Sequence, residues 1–301
     1  MIKLHKAVLF LCSMLMLSNI YGQATDLARV EYTNFPQSNS ENSFSRLKTF
    51  LKFPIKLNEE GAYLIPGIQY QNVNFQLNDE TAFPREELDH FQSYALSLGY
   101  TFKMSEDWRF GIEGEVDATS NFVTKEVMGE DIEYTASIYF IKSKSAADSI
   151  RSWRLILGSR YSTASSIQFP IPIVNYYKRY HENWSYTLGV PKTNIIHNLN
   201  DKHAFQAFAS VDGFYANLQN RINPTGNLPY TGRLGQNISI TTVLAGLGYE
   251  FQFSEYFSFY IYGGHSIINN IRLRDENQDR VYTINDTNSI YGRTGLKFSI
   301  L

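Results

Sequence analysis

A single cysteine stands among 301 residues, and it falls at Cys12, inside an N-terminal apolar stretch. Once that stretch is removed the chain has no thiol, which excludes disulfides, thiolate metal sites and cysteine nucleophiles. Long apolar runs are also missing. Beyond the N-terminus nothing approaches the roughly 20 residues a helix needs to cross a bilayer, and mean hydropathy is −0.28. Positive charge is not in surplus: 27 Lys+Arg stand against 29 Asp+Glu, a formal charge of −2, so there is no basic field to gather nucleic acid. Gly-x-Ser-x-Gly, His-Glu-x-x-His and phosphate-loop motifs do not occur.

Aromatic residues are abundant: 21 Tyr and 21 Phe bring the aromatic share to 15%. Their placement is clearest over residues 243–261. Val243, Ala245, Leu247, Tyr249, Phe251 and Phe253 alternate with Gly246, Gly248, Glu250 and Gln252; after Ser254-Glu255-Tyr256 the apolar face resumes at Phe257, Phe259 and Ile261. A period of two on both arms of a short polar turn is a β-hairpin. Aromatics at the turn end and a small or polar opposite face fit a hairpin with one side to lipid and the other to a lumen.

The same punctuation recurs around Met104–Asp107, His181–Asn183, Asn200–His203 and Ser254–Tyr256, with longer polar stretches between. It divides the chain into strands at 27–34, 44–57, 62–76, 89–103, 108–119, 132–143, 152–163, 170–180, 184–190, 193–199, 204–218, 237–253, 257–272 and 289–301. The expected fold is therefore all-β: a transmembrane antiparallel up-and-down barrel of about 14 strands, or alternatively 12, with both termini periplasmic. The pair within 184–199 is short for a spanning hairpin. Residues 1–22 read as a secretory leader, with Lys3 and Lys6 ahead of an apolar run and Gly22 near the cleavage point; residues 23–301 form the barrel, and the bacterial outer membrane is its expected location. The amphipathic final strand, Gly292 to Ile300, resembles the segment that barrel-assembly machinery reads. Membrane lipid and lipopolysaccharide are the other expected partners, and no cofactor is expected.

Function has to be sought on the inward face. On the fifth strand Arg109, Glu113, Glu115 and Asp117 oppose Trp108, Phe110, Ile112 and Val116; acids at this spacing belong inside, because a charge on the lipid face is costly. Glu133, Asp212 and Glu250 join them, while Arg46, Lys48 and Lys52 come from the second strand, Arg154 and Arg160 from the seventh, and Arg293 and Lys297 from the last. Two arrangements follow. Either an acidic wall faces a basic one across a conducting constriction that passes small polar solutes, or acids and bases pair and fill the interior. Surface binding through the outer loops is a further alternative. Catalysis is not expected: His265 and Ser266 are the best-placed pair for a lipid-modifying enzyme, yet adjacent strand residues point to opposite faces. Asp275, Asn277 and Asp279 have the spacing of calcium ligands, but Arg280 stands where the loop requires glycine.

The stretch from Pro172 to Asn194, with Leu-Gly-Val-Pro-Lys-Thr at its centre, and Asp212-Gly-Phe-Tyr-Ala-Asn217 resemble an uncharacterised family of bacterial outer-membrane β-barrels known only as a domain of unknown function. The resemblance covers most of the chain after the leader. It implies fold and location and brings no catalytic residue.

Overall fold

The computed structural model describes residues 25–81, 83–144, 152–163, 169–224 and 232–300; the expected leader lies outside them. Fourteen strands form the wall: β1 (Thr25–Pro36), β2 (Ser43–Lys52), β3 (Tyr63–Gln76), β4 (His90–Lys103), β5 (Trp108–Ser120), β6 (Ile132–Lys144), β7 (Trp153–Ser162), β8 (Ile171–His181), β9 (Trp184–Val190), β10 (Lys192–Asn198), β11 (His203–Ile222), β12 (Gly235–Gln252), β13 (Phe257–Arg274) and β14 (Ile290–Ile300). Each pairs antiparallel with the next, and β14 pairs with β1 from Asn34↔Gly292 down to Thr25↔Ile300, closing the barrel. Fourteen, not twelve, is the strand number. The start of β1 and the end of β14 lie at the short-turn end. Two short segments are appended: Ile55–Lys56 pairs beside the start of β3, and Arg280–Asn285 folds back on β13 in its connection to β14. The second strand stops at Lys52 and not at residue 57, because Pro54 has no N–H to continue the ladder.

Alternation decides which side of each strand meets lipid. Leu247 is 71% exposed and Leu96 67%, and Ile68, Ile112, Phe205, Ile261 and Leu296 also point outward. An apolar belt of this extent is unstable against water and matches hydrocarbon. All three tryptophans, Trp108, Trp153 and Trp184, start strands at the turn end. There Phe110 packs against Phe102 and Phe140 at 5.6 and 5.3 Å, and Phe257 against Phe298 at 4.9 Å. This is the aromatic girdle of a membrane interface.

At the loop end the polarity of the same alternation inverts. Asn34, Asn74, Gln76 and His90 point outward and are exposed, whereas Phe35, Phe44, Val73, Phe75 and Phe91 turn inward and bury against Phe214, Leu218, Ile238, Ile271 and Leu273. The expectation of a small or polar inward face throughout is corrected here. Polar outside and apolar inside is the pattern of a water-soluble β domain. The upper parts of β1–β5 and β11–β14 thus leave the membrane and close over an apolar core, a dome above one side of the lumen. β11 completes it by leaning across to β5, where Asn217 pairs in parallel with Ser120. Beneath that junction the wholly buried Asp131 accepts hydrogen bonds from Asn217 Nδ2 and Gln219 Nε2, both at 2.7 Å.

The β8–β10 side does not rise with the dome. β9 and β10 have 7 residues each, against 20 in β11. Their tip is sharply specified: Gly189 has φ +149°, and a Cβ there would lie 1.9 Å from the Val174 carbonyl oxygen, so only glycine fits. Thr193 Oγ1 closes the turn, accepting from the Gly189 N–H and donating to its C=O, both at 3.0 Å. The distinctive Leu-Gly-Val-Pro-Lys-Thr segment is this tip.

Phe91→Ala in the dome core, 0% exposed, is expected to cost about 3–5 kcal/mol in urea titrations of the vesicle-reconstituted protein. Leu96→Ala on the same strand should cost far less, because lipid fills the vacated space. Equal losses at the two sites would contradict the dome.

Candidate functional site

The lumen below the dome holds a cavity of about 870 Å³. Its charged lining arises from the strand period: Arg46, Lys48 and Lys52 from β2, Glu113 and Glu115 from β5, Asp212 from β11, Glu250 from β12, and Arg293 and Lys297 from β14 all take the inward positions.

Most of these charges are matched, and several matches cross the lumen. Arg46 binds Asp212 through both terminal nitrogens, at 2.5 and 3.2 Å, linking β2 to β11 through the interior. Arg293 reaches the same carboxylate at 2.7 Å and Glu31 at 3.5 Å. Glu31 also accepts from the Tyr260 hydroxyl at 2.6 Å. A second group lies nearer the turn end: Glu250 binds Lys297 Nζ at 2.7 Å, accepts from Gln206 Nε2 at 2.9 Å, and accepts from the Tyr262 hydroxyl. On the other wall Lys52 meets Glu113 at 3.0 Å and Arg160 meets Glu115 at 3.1 Å. Inward glycines make room for the tyrosines: a Cβ at Gly248 would lie 2.3 Å from the Tyr262 ring, and one at Gly295 would lie 2.6 Å from the Tyr260 oxygen. In place of an acidic wall facing a basic one, the acids and bases interlock.

Interlocking leaves a surplus. Among the described residues Lys48, Arg179 and Lys192 line the cavity on β2, β8 and β10 with no carboxylate at ion-pair distance. Lys192 instead rests over the rings of Phe208 and Tyr262, its Nζ 5.3 Å from each centroid. Carboxylates without a partner on this lining, Asp201 and Glu255, belong to the turns and not to the strands. Along its strand-built length the cavity is therefore net cationic.

Of the residues expected to line the lumen, Arg46, Lys48, Lys52, Glu113, Glu115, Arg160, Asp212, Glu250, Arg293 and Lys297 border this cavity. Four lie apart from it. Arg109 donates to the Gly61 carbonyl at 2.8 Å and covers the Tyr63 ring; Glu133 accepts from the Thr163 hydroxyl; Asp117 lies one inward position beyond Glu115, towards the loops; and Arg154 lies near the turn end of β7. Arg29, Glu31, Arg179 and Lys192 also line it, as do Asp26 and, in a turn, Lys202; continuing the same alternation through β1, β8 and β10 would have found the first four.

In the 275–279 loop Arg233 Nη1 lies 2.9 Å from Asp275 and also binds Asp279, while the amides of Asn277 and Asp279 each donate to Asp275 Oδ1 at 3.0 Å. Burial pushes the Asp275 carboxyl up, but Arg233 and the two amides outweigh it and hold the group below its ordinary range. An internal cation thus occupies the position between these carboxylates. His265 faces outward, its Nδ1 2.7 Å from the Ser266 carbonyl oxygen, whereas the Ser266 side chain is buried on the inward side. The two side chains do not meet.

A family profile described as a domain of unknown function (DUF6268) matches residues 12–299. No curated protein matches the chain. Among solved structures, LpxR from Salmonella typhimurium aligns over 91% of this chain and 100% of its own at 8% identity, with a TM-score of 0.39. The KdgM porin aligns over 91% and 99% at 8% identity and 0.35. The outer membrane phospholipase (OMPLA) of Salmonella typhi, a dimer with bound calcium, aligns over 96% of each chain at 10% identity and 0.37. At such identities the likeness concerns barrel architecture and assigns no residue a role.

Two measurements probe the site. Asp212→Ala strands Arg46 and Arg293 together and should destabilise the barrel by about 3–5 kcal/mol, only part of it recovered when both arginines are also replaced by methionine, because Arg46 and Asp212 also bond the Gly213 backbone; a neutral single variant would show that the pair is unimportant. Because the folded-state value of Asp275 is depressed, its contribution to loop stability is complete above the ordinary carboxylate range and is lost as pH falls through the lower folded value. NMR titration should place its midpoint below the ordinary aspartate range and move it upward in Arg233→Ala; an unmoved midpoint would refute the pairing.

Proposed function

This chain belongs to the family described as a domain of unknown function (DUF6268), and from that premise we propose that it is an outer-membrane barrel whose charged lumen passes small polar solutes, anions in preference to cations. The observation that carries this reading is the cationic surplus of Lys48, Arg179 and Lys192 along a cavity that runs from the turn end, at Asn200 and Glu255, up to Pro191 at the β9–β10 tip. A low-dielectric wall lined by one sign of charge focuses its field on the passage and raises the local concentration of counter-ions. The interlocked pairs hold the wall open and rigid without adding net charge.

Barrels of this class keep their termini and short turns in the periplasm, so the turn end of the cavity faces the periplasm and the dome faces outward. Passage then follows the side of the lumen beneath β8–β10, since the apolar core of the dome offers no polar route. The belt contacts membrane lipid, the loop end stands at the level of lipopolysaccharide, and β14 is the segment presented to the assembly machinery.

In planar bilayers the purified protein is expected to give discrete conductance steps, with a reversal potential in a KCl gradient displaced towards chloride. Combining Lys48→Glu with Lys192→Glu should move that potential to the cation side. Absence of steps at every voltage would sink the proposal.

A further inference from the structure

The wall has a step whose height can be judged against the membrane. Seven residues at about 3.3 Å each reach ~23 Å along the strand, or ~18 Å along the membrane normal at a tilt near 40°. The apolar band of an outer-membrane barrel is about 25 Å tall. The β9–β10 tip therefore ends some way below the outer edge of the band. Its side chains agree: Leu188 and Val190 point outward, 52% and 47% exposed, where the strands of the dome carry Asn and His at their upper ends.

Above the tip β11 continues, among the described residues, with no strand beside it on that side. Val211 donates its N–H to the Pro191 carbonyl at 2.8 Å, the ladder to β10 ends at Lys192↔Ser210, and the next partner on this edge is Ser120, opposite Asn217. At Gly213 side chains replace the missing strand: its N–H donates to Asp212 Oδ1 at 2.8 Å and its C=O accepts from Arg46 Nη1 at 3.4 Å. An exposed strand edge in hydrocarbon is prohibitive unless its groups are satisfied in this way. At Gly213 the edge is satisfied without a neighbouring strand.

Two surfaces meet at this step. Inside lies Lys192, the unpaired cation nearest the tip. Outside, an apolar groove runs down the wall between Tyr180, Tyr186, Leu188, Ile195, Ala207 and Ala209. Asn194 and Phe208, paired on the β10–β11 ladder, border both the groove and the lumen cavity, so the two lie on opposite faces of the same short stretch of wall. A cation inside a low sill and an acyl-sized trough outside it complement one chemistry: a single-chain amphiphile with an anionic phosphate head.

We propose that the step above β9–β10 is a lateral port through which such an alkyl phosphate passes between the outer leaflet and the lumen, its head held at Lys192 and its chain lying in the groove beside Ala207 and Ala209. This deepens the passage reading and rests on the lumen being continuous with the periplasmic mouth; binding at the port itself does not require conduction.

Dodecyl phosphate is the probe, with the full-length protein in planar bilayers and in detergent micelles. It should block the conductance at concentrations at least tenfold lower than inorganic phosphate, and bind in micelles by calorimetry. Lys192→Glu should weaken the binding at least tenfold. Ala209→Trp, which fills the groove from the lipid side, should weaken it about tenfold, whereas Ala136→Trp, in a comparable outer groove of the β4–β7 wall, should leave it intact. Folding of each variant is checked by heat-modifiable gel mobility. Equal potency of dodecyl and inorganic phosphate, or equal effects of the two tryptophans, overturns the port. Binding that depends on Lys192 and Ala209 in a protein without conductance supports the port and overturns only passage; conductance indifferent to dodecyl phosphate does the reverse.

Discussion

Every backbone N–H and C=O in the hydrocarbon must find its partner within the protein, since no water is there to supply one. The rest of this structure follows from that requirement. It forces fourteen strands to close through β1 and β14 and fixes the alternation that sends Leu247 to lipid and Glu250 to the lumen. Beside Gly213 the edge of β11 passes without a neighbouring strand among the described residues, and there Asp212 and Arg46 supply the missing donor and acceptor. The lumen ion pair therefore has two tasks: it neutralises buried charge, and it seals the edge that the short β9–β10 hairpin leaves.

Pairing of the other lumen charges obeys the same economy. An isolated charge in a partly desolvated interior is costly, and its cost is offset only when a partner and further hydrogen bonds are in place. Asp212 has two guanidinium partners, and Glu250 has an ammonium, an amide and a phenol. Tyr260 and Tyr262 reach these carboxylates because Gly295 and Gly248 leave space for their rings. Against so thoroughly matched a lining, the unmatched Lys48, Arg179 and Lys192 stand out, and they are where a mobile anion would complete the pairing.

Much of this was legible in the sequence. The hairpin over residues 243–261 predicted its faces correctly, from Leu247 outward to Glu250 inward, and the strand bounds recur within a few residues around the barrel. Period alone places a side chain on one face or the other, so the lumen residues Arg46, Glu113 and Asp212 could be named before any contact was known. Partners could not, because Arg46 and Asp212 are 166 residues apart and meet through the interior, a distance set by barrel circumference and strand stagger. The dome had a signal too. Along β2 Phe44 is inward and Ser45 outward at the loop end, while nearer the turns Lys48 is inward and Leu47 outward. The period is unchanged but its polarity reverses, and a reading that assigned each strand a single lipid face could not register the reversal.

That reversal also explains how a barrel with an open, charged lumen remains stable. Lumen side chains surrounding a cavity contribute little burial, and lipid contact gives the outer belt no close-packed protein partner. The dome supplies what the lumen lacks: Phe35, Phe75, Phe91, Leu218, Ile238 and Leu273 come from six different strands and bury against one another, at about 1.5–3 kcal/mol for each large side chain. Because that core draws on β1–β4 and β11–β14 but not on β8–β10, the low side is free to be short. Stability and opening are thus assigned to opposite sides of one closed sheet, and the low wall beside Lys192 is the place where the barrel can yield access without loosening the packing that holds it shut elsewhere.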